Sequence, residues 1–330
     1  TCALPICIFK LGNRHKLSVG TEYIVDVLKS QTDNIAKEDA YTLALFAQDE
    51  IKLLRNLQAL IGVRYIYHEN FKNHATPNVA LMYKPGKFNF RASYAAGFRT
   101  PTLSELYATD IAKKNDRLTI GNLDLKPEKN NYFSLSAEYV HERFSVSVNA
   151  FYNNIRDMID YNTIATGDKA MEQYGHKEVR QRDNIAEAKV HGINVSANAY
   201  LGAGFNLSGG YTHLNTQDVE LEQPIDKSIK NAYNINAQWA HSWKIYRLNI
   251  NLNGRINSKR FSKSYGYAPE YQLWDLNTRH SFNLKSVIIE PGCGMENLFD
   301  YMDDRPYNSN YATLTPGRSF YISLSLKFKS

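Results

Sequence analysis

The strongest constraint on the fold is an unbroken alternation of residue types from Tyr246 to Asn257. Every second position, beginning with Tyr246, is apolar or glycine, and every position between them is asparagine or arginine. A period of two indicates a β-strand whose two faces meet different surroundings. The twelve residues also suffice to cross a bilayer, because a tilted transmembrane strand needs about 9–11 residues. Taken alone, this strand fits a soluble sandwich, with its apolar face in the core, as well as a barrel in lipid.

The connections between strands separate these two alternatives. About fourteen segments carry the period of two, and the connections between them alternate strictly in length. The long connections lie near residues 29–39, 69–76, 100–130, 153–178, 215–230, 258–270 and 300–317. The short ones lie near residues 53–56, 85–86, 141–143, 202–204, 243–245 and 283–286. Long loops at one end and tight turns at the other are typical of bacterial outer-membrane barrels, whereas sandwiches and propellers do not require them. We therefore predict an all-β fold, an antiparallel up-and-down transmembrane β-barrel.

The composition agrees with hydrophobicity that is hidden in alternate residues. Mean hydropathy is −0.47, and no stretch approaches the length of about 18 uncharged apolar residues that a transmembrane helix needs. The net charge of +6 is dispersed along strands and loops, so we expect no nucleic-acid partner. Three cysteines without a repeated spacing predict neither a disulfide framework nor a metal site.

The start of the chain differs in character from the strand patterns after it. Residues 1–6, Thr-Cys-Ala-Leu-Pro-Ile, resemble a translated sequencing adapter. We expect residues 1–9 to be a non-native or unassigned leader and residues 10–330 to be the barrel. No signal peptide, which an exported protein needs, precedes the strands. The sequence therefore predicts a fragment that is truncated upstream.

Several short motifs occur in a fixed order along the chain. The first group surrounds the connection at 100–130, a second consists of residues 46–50 (FAQDE) and 62–65 (GVRY), and a third precedes the last strand. The positions that define the first and third groups are Gly97, Phe98, Arg99, Pro101, Glu105, Leu106, Tyr107, Gly121, Asn122, Leu125, Pro127, Glu128, Asn297, Leu298, Phe299, Asp300, Pro316, Gly317 and Arg318. Together these motifs resemble the C-terminal barrel of TonB-dependent outer-membrane receptors. Each is weak alone, but their common order makes the resemblance specific.

The resemblance implies a barrel of about 22 strands filled by an N-terminal plug domain. About fourteen strands are counted in this chain, and neither the plug nor a TonB box is recognisable. Such receptors take up scarce nutrients, most often an iron–siderophore complex, otherwise cobalamin or haem. The implied partners are the TonB–ExbB–ExbD complex, which supplies energy, and the lipid and lipopolysaccharide of the bacterial outer membrane.

Tyrosines and arginines of the long connections are the candidates for cargo binding. Tyrosine rings could stack on a chelate or a corrin, and guanidinium groups could attract an anionic siderophore. Packing within the loops is the alternative for each residue. The candidates are Tyr161, Tyr174, Arg180, Arg182, Tyr265, Tyr267, Tyr307 and Tyr311.

Two weaker hypotheses concern metals. Asp218, Glu220, Glu222 and Asp226 provide alternating carboxylates that could hold calcium, and a solvated acidic loop is the alternative. Haem receptors of this family often carry a histidine in the opening loop, but residues 102–120 contain none. His74 and His176 lie in other long connections, so either could be a haem ligand. We expect no cofactor.

No nucleophile elbow or other catalytic motif occurs in the sequence, so we expect a protein that is not an enzyme. A passive porin-type barrel is the main alternative to a receptor. A porin would have no plug and would not need the receptor motifs.

Overall fold

Alternating side chains along each strand generate one large antiparallel sheet in the computed structural model of the chain. The structure describes residues 2–3, 5–30, 35–113, 116–184, 187–262, 266–303 and 315–329. Up to residue 140 the elements are β1 (Cys2–Ala3), β2 (Ile6–Leu11), β3 (His15–Ser30), β4 (Ile35–Leu54), β5 (Leu57–His68), β6 (Lys72–Tyr83), β7 (Phe88–Arg99), α1 (Leu103–Tyr107), β8 (Thr109–Ala112), β9 (Arg117–Ile120) and β10 (Glu128–Val140). Beyond it they are β11 (Phe144–Arg156), β12 (Ile159–Thr166), α2 (Gly167–Tyr174), β13 (Glu178–Asn184), β14 (Ala188–Gly202), β15 (Phe205–Asp218), β16 (Asn231–Trp243), β17 (Tyr246–Asn257), β18 (Arg260–Ser262), β19 (Gly266–Ala268), β20 (Tyr271–Asn283), β21 (Val287–Glu296) and β22 (Ser319–Phe328).

Fourteen long strands form the body of the main sheet. They pair in chain order as β3-β4-β5-β6-β7-β10-β11-β14-β15-β16-β17-β20-β21-β22, always antiparallel. The short strands β1 and β2 both pair with the free side of β3. Among the described residues the sheet is open, because β22 has a neighbour on one side only. The predicted all-β antiparallel fold and the estimate of about fourteen strands are confirmed.

The two faces of the main sheet differ in polarity. On β10, Phe133 and Leu135 are exposed on one face, whereas Ser134 between them is hydrogen bonded to Ser93 on β7 at 2.6 Å. The same exposed face carries a large apolar side chain on most of the long strands, including Leu45, Ile61, Leu81, Phe90, Val148, Ile193, Leu207, Ile235 and Leu324. Exposed apolar surface of this extent marks a face that meets lipid or a partner. We call it the outer face, and the opposite one the inner face.

Neither helix, within the described part of the chain, has the length and apolar character needed to cross a membrane.

The connections alternate between the two ends of the sheet, as predicted, but two of them are shorter than expected. β5 ends at His68 and β6 begins at Lys72, so residues 69–76 are not a long loop. Likewise β3 and β4 extend to Ser30 and from Ile35, well into the predicted loop at 29–39. Strands that project beyond a bilayer no longer need apolar residues at every second position, and their polar ends therefore resembled loops.

Another expectation is corrected by the strand boundaries. The connections predicted at 153–178 and 202–204 leave one strand between them, but the structure has two there, β13 and β14, which lie in different sheets. Residues 6–9, which lie within the expected leader, are part of β2, and β2 pairs with β3 from Ile6↔Gly20 to Leu11↔His15. That residues 1–9 are a non-native or unassigned leader stays a prediction.

The polarity of the two faces can be tested with adjacent residues on β11. Val148 lies on the outer face, whereas Ser147 lies on the inner face and pairs in register with Glu138. In a lipid bilayer, Val148→Lys is expected to reduce the free energy of unfolding by about 2–4 kcal/mol. Ser147→Lys places the same charge beside a carboxylate and serves as the matched control. Denaturant unfolding of the membrane-inserted protein measures the difference, and equal effects of the two substitutions would refute the assignment of the faces.

Candidate ligand-binding site

The two longest connections fold together into a second, smaller sheet, which we call the outer-loop sheet. Its strand order is β12-β13-β9-β8. β8 and β9 belong to the connection between β7 and β10, whereas β12 and β13 belong to the connection between β11 and β14. β9 and β13 pair in parallel, with Leu118 opposite Val179. On one face, these two residues form a hydrophobic cluster with Ala165 and with Ala170 of α2. Two connections that are distant in sequence therefore form one packed unit.

Three charged residues fasten this unit to the main sheet. Arg99, at the end of β7, donates hydrogen bonds to the two carboxylate oxygens of Glu128 at 2.7 and 2.5 Å. It also donates to Glu105 of α1 at 2.9 Å. Glu128 Oε1 accepts a further bond from the backbone N–H of Ile159 at 2.8 Å, where β12 begins. Bidentate arginine–carboxylate pairs fix geometry as well as energy, so Arg99 orients both connections at their origin.

Helix α1 is held by a capping box. The Thr102 hydroxyl accepts a hydrogen bond from the Glu105 backbone N–H at 3.2 Å, and Glu105 Oε2 accepts from the Thr102 backbone N–H at 2.8 Å. This reciprocal pair satisfies donors that a helix N-terminus otherwise leaves free. Burial alone would raise the pKa of the Glu105 carboxyl, but the Thr102 N–H and the Arg99 guanidinium hold that pKa below its usual range. Glu105 is therefore ionised at neutral pH.

The motif at residues 121–128 links the two connections. Asn122 donates from its side chain to the backbone carbonyl of Arg182 at 2.9 Å. Gly121 passes so close to α1 that a Cβ atom would lie 2.5 Å from the carbonyl oxygen of Leu106, and only glycine fits there. Leu125 is buried in a cluster with Leu106 and Ile159. These motif residues are connectors within the protein.

Asn184 contributes to the same junction, and the sequence analysis missed it. Its side-chain oxygen accepts from the Lys126 backbone N–H at 2.6 Å, and its amide donates to the carbonyls of Lys126 and Asp157 at 2.8 and 2.7 Å. No local pattern indicates such a role, because Lys126 lies 58 residues away in sequence. A single asparagine in a polar segment is ordinarily a surface residue.

The face of the outer-loop sheet opposite α2 carries three arginines and a tyrosine. We call it the basic face, and it consists of Arg117, Tyr161, Arg180 and Arg182. Tyr161 and Arg182 are cross-strand neighbours, and the guanidinium carbon of Arg182 lies 3.8 Å from the centre of the tyrosine ring. Arg180 donates to Glu178 at 2.6 Å. Within the described residues no carboxylate pairs with Arg182, and the buried Nε of Arg117 has no hydrogen-bond acceptor.

The structure thus brings together some of the predicted cargo residues and separates others. Tyr161, Arg180 and Arg182 share the basic face. Tyr174 ends α2 and packs against the hydrophobic cluster behind that face. Tyr267 lies on β19, in the connection between β17 and β20, where its exposed ring makes an edge contact with Phe261 at 5.3 Å. Tyr265, Tyr307 and Tyr311 lie outside the described residues.

The acidic residues proposed for calcium are not gathered into a site. Asp218 lies at the end of β15, where its carboxylate accepts the Leu221 backbone N–H at 3.1 Å. Across the described ranges, no group of three or more His, Cys, Asp or Glu side chains is arranged to hold a metal ion. This arrangement does not support the calcium hypothesis for Asp218, Glu220, Glu222 and Asp226.

Of the two histidines noted in the sequence, His176 joins two loops, whereas His74 lies on β6 and contacts the neighbouring strand β7. His176 lies 2.8 Å from the carboxylate of Asp116, which joins the tips of the two long connections. The hydrogen bond from His176 holds the pKa of the Asp116 carboxyl below its usual range. His74 stacks on Phe98 with ring centres 3.7 Å apart.

The motif before the last strand also has a connecting role. The Asn297 side chain, almost fully buried, donates to the carbonyls of Tyr301 and Pro316 at 2.7 and 3.0 Å. Asp300 accepts the Arg318 backbone N–H at 2.7 Å. These bonds hold together the two ends of the connection between β21 and β22.

Comparisons with known proteins agree on the architecture. A family described as TonB dependent receptor-like, beta-barrel, matches residues 8–298. A variant of the ferric enterobactin receptor PfeA of Pseudomonas aeruginosa is similar with a TM-score of 0.81 and 19% identity, over 99% of this chain and 53% of that one. The siderophore receptor PirA of Pseudomonas aeruginosa gives 0.78 and 18%, over 100% and 56%. The copper transporter OprC gives 0.75 and 12%, over 98% and 55%. The chain therefore spans about half the length of these structures.

Glu128 can be tested as the junction of the two connections. Glu128→Gln removes the charge that pairs with Arg99, and we expect the connections to open more often. The free energy that keeps the connections closed should fall by about 1–2 kcal/mol. This value is at the low end for a hydrogen bond to a charged group, because the Arg99 side chain is 43% exposed. Limited trypsin digestion of the folded protein should then cut near Lys113 and Lys126 roughly fivefold faster or more. Glu142→Gln, in an exposed turn at the opposite end, is the control, and unchanged cleavage in Glu128→Gln would contradict the role.

The lowered pKa of Glu105 predicts a pH dependence of α1. Ionised Glu105 stabilises the capping box and the contact with Arg99, and this contribution is complete above the ordinary glutamate pKa of about 4.3. It is lost as the pH falls through the lowered pKa. Hydrogen exchange of residues 102–108, corrected for intrinsic rates, should show declining protection in this acidic range. Glu105→Gln keeps the capping box but not the charge, so its lower protection should be independent of pH there.

Proposed function

The chain belongs to the TonB-dependent receptor family, and on this basis we propose that it forms the barrel part of an outer-membrane receptor that takes up an iron–siderophore complex. Members of the family are outer-membrane transporters that work with TonB, and they are not enzymes. The family match covers most of the chain, whereas the similarity to solved structures supports the fold alone. The identity of the cargo therefore rests on the chemistry of the site.

The contact between Arg182 and Tyr161 is the observation that carries this proposal. A guanidinium held over a tyrosine ring remains a full positive charge with its donors directed outward. Arg117 and Arg180 lie on the same face, which supports attraction of an anionic, partly aromatic chelate. Two of the similar structures are named as receptors for such cargo, a ferric enterobactin receptor and a siderophore receptor.

Uptake by such a receptor consumes energy that the barrel does not generate. We propose that the TonB–ExbB–ExbD complex supplies it through a plug domain, and that outer-membrane lipid and lipopolysaccharide surround the outer face. The exposed apolar side chains of that face support the lipid contact. Cobalamin and haem are the next candidates for cargo, and a passive porin is the alternative mode of transport.

The proposal is tested by binding and uptake in cells that express the receptor and lack other receptors for the same cargo. Ferric enterobactin labelled with radioactive iron is the first probe, followed by a ferric hydroxamate, haem and cobalamin. We expect saturable binding and uptake that stops when TonB is deleted. Uptake that continues without TonB would favour the passive porin. Uptake of cobalamin or haem alone would refute the proposal that the cargo is an iron–siderophore complex.

Arg182 provides the residue-level test. Arg182→Gln removes the charge over Tyr161, and we expect the Kd for the ferric siderophore to rise about tenfold, since a hydrogen bond to a charged group contributes about 1.5–3 kcal/mol. Arg143→Gln makes the same change in an exposed turn at the opposite end of the sheet and serves as the control. Equal affinities of the two variants would exclude Arg182 from the site.

A further inference from the structure

The inner face of the main sheet has two walls with different chemistry. On β3 to β10, which we call the first wall, several charged groups are paired with one another between strands. Lys16 pairs with Glu50 at 3.0 Å, and Arg64 pairs with Glu22. Asn89 donates to Glu138 at 3.2 Å. The hydrogen bonds and charges of these side chains are directed at their neighbours in the sheet.

The wall formed by β16, β17, β20 and β21, which we call the amide wall, is built differently. β17 presents Asn249, Asn251 and Asn253 in succession on the inner face, because every second residue of a strand points the same way. Asn236 of β16 donates to both Asn251 and Asn253, at 2.6 and 2.7 Å. Each amide carries donors and an acceptor, so a neighbouring amide, water or a passing ligand can satisfy it.

The amide wall borders a groove of about 620 Å³ that contains two arginines. Arg247 and Arg279 line it, and within the described residues neither pairs with a carboxylate within 4.0 Å. The carboxylate that lines the groove, Glu290, is bound to Lys327 at 2.7 Å. The groove therefore combines neutral hydrogen-bonding groups with two positive charges that the sheet leaves available.

The first wall also borders a groove, of about 670 Å³, but its lining has another character. Leu60, Ala80 and Met82 contribute apolar surface, and Lys10, Arg14 and Arg91 contribute several cations. A dense group of cations on an apolar floor favours tight, static contact with an anionic partner. The passage of a solute through the inner space requires the reverse, namely several weak and exchangeable contacts that admit the solute and release it.

From this contrast we infer that the cargo crosses the inner space along the amide wall, in contact with Asn251, Arg247 and Arg279. The inference rests on the proposed function, since it takes an anionic iron chelate as the solute. The amides exchange hydrogen bonds with the polar periphery of the chelate, and the two arginines attract its charge toward the turn end of the sheet. The groove of the first wall, with its cations on an apolar floor, favours static contact instead.

Two matched substitutions test the inference in the whole receptor, expressed in outer membranes. Asn251→Leu removes an amide from the amide wall, and Gln58→Leu removes one from the first groove. The probe is ferric enterobactin labelled with radioactive iron. We expect Asn251→Leu to leave surface binding in the cold unchanged and to slow uptake roughly fivefold, as the loss of about one hydrogen bond predicts. Gln58→Leu should transport at the wild-type rate.

Further variants and controls separate the possible outcomes. Asn251→Gln keeps an amide and should restore uptake, and Arg279→Gln should slow it without changing the amount of folded receptor, measured on unheated gels. Wild-type uptake in Asn251→Leu, a defect confined to Gln58→Leu, or slower uptake that merely follows a lower amount of folded receptor would each overturn the inference. Absence of binding and uptake in the wild-type receptor would instead refute the proposed function.

Discussion

The requirement that every backbone N–H and C=O be paired governs the main sheet. In hydrocarbon an unpaired backbone group costs several kcal/mol, so a spanning strand must be bonded along its whole length. β10 meets this requirement with twelve residue pairs to β7 and twelve to β11. Because the backbone is committed to the sheet, side chains alone distinguish the two faces. In the proposed receptor, groups that act on a polar cargo are therefore confined to the inner face and to the connections beyond the strand ends.

The family motifs have their physical reason at these strand ends. Where a strand stops, its last backbone groups and the first residues of the connection need new partners. Arg99 and Glu128 provide them where β7 ends and β10 begins, and Asn297 does so between β21 and β22. Such residues depend on the geometry of the barrel and not on the cargo. This explains why motifs that identify the family do not reveal what the chain binds.

What could be predicted from sequence depends on whether a feature arises within one strand or from contacts between distant segments. The period of two in residues 246–257 follows directly from β17, whose two faces meet different surroundings. The outer-loop sheet could not be predicted, because its parallel pairing of Leu118 with Val179 joins residues 61 apart and leaves no periodic signal. Tyr161 and Arg182 were selected by residue type, and only the register of β12 with β13 shows that they touch. Asn184 was missed because its three bonds are defined by tertiary contacts alone.

The proposed binding residues need fixed positions, whereas the proposed passage along the amide wall needs contacts that exchange readily. Binding requires groups that are held in position before the cargo arrives, since ordering them afterwards costs affinity. The Arg182 backbone is held by Asn122, and the start of β12 is held by Glu128, so the basic face is positioned from both connections. These contacts also run from the basic face to Arg99 at the end of β7. A ligand that shifts β12 or β13 would therefore act first on the Arg99 pair, where the outer-loop sheet meets the main sheet.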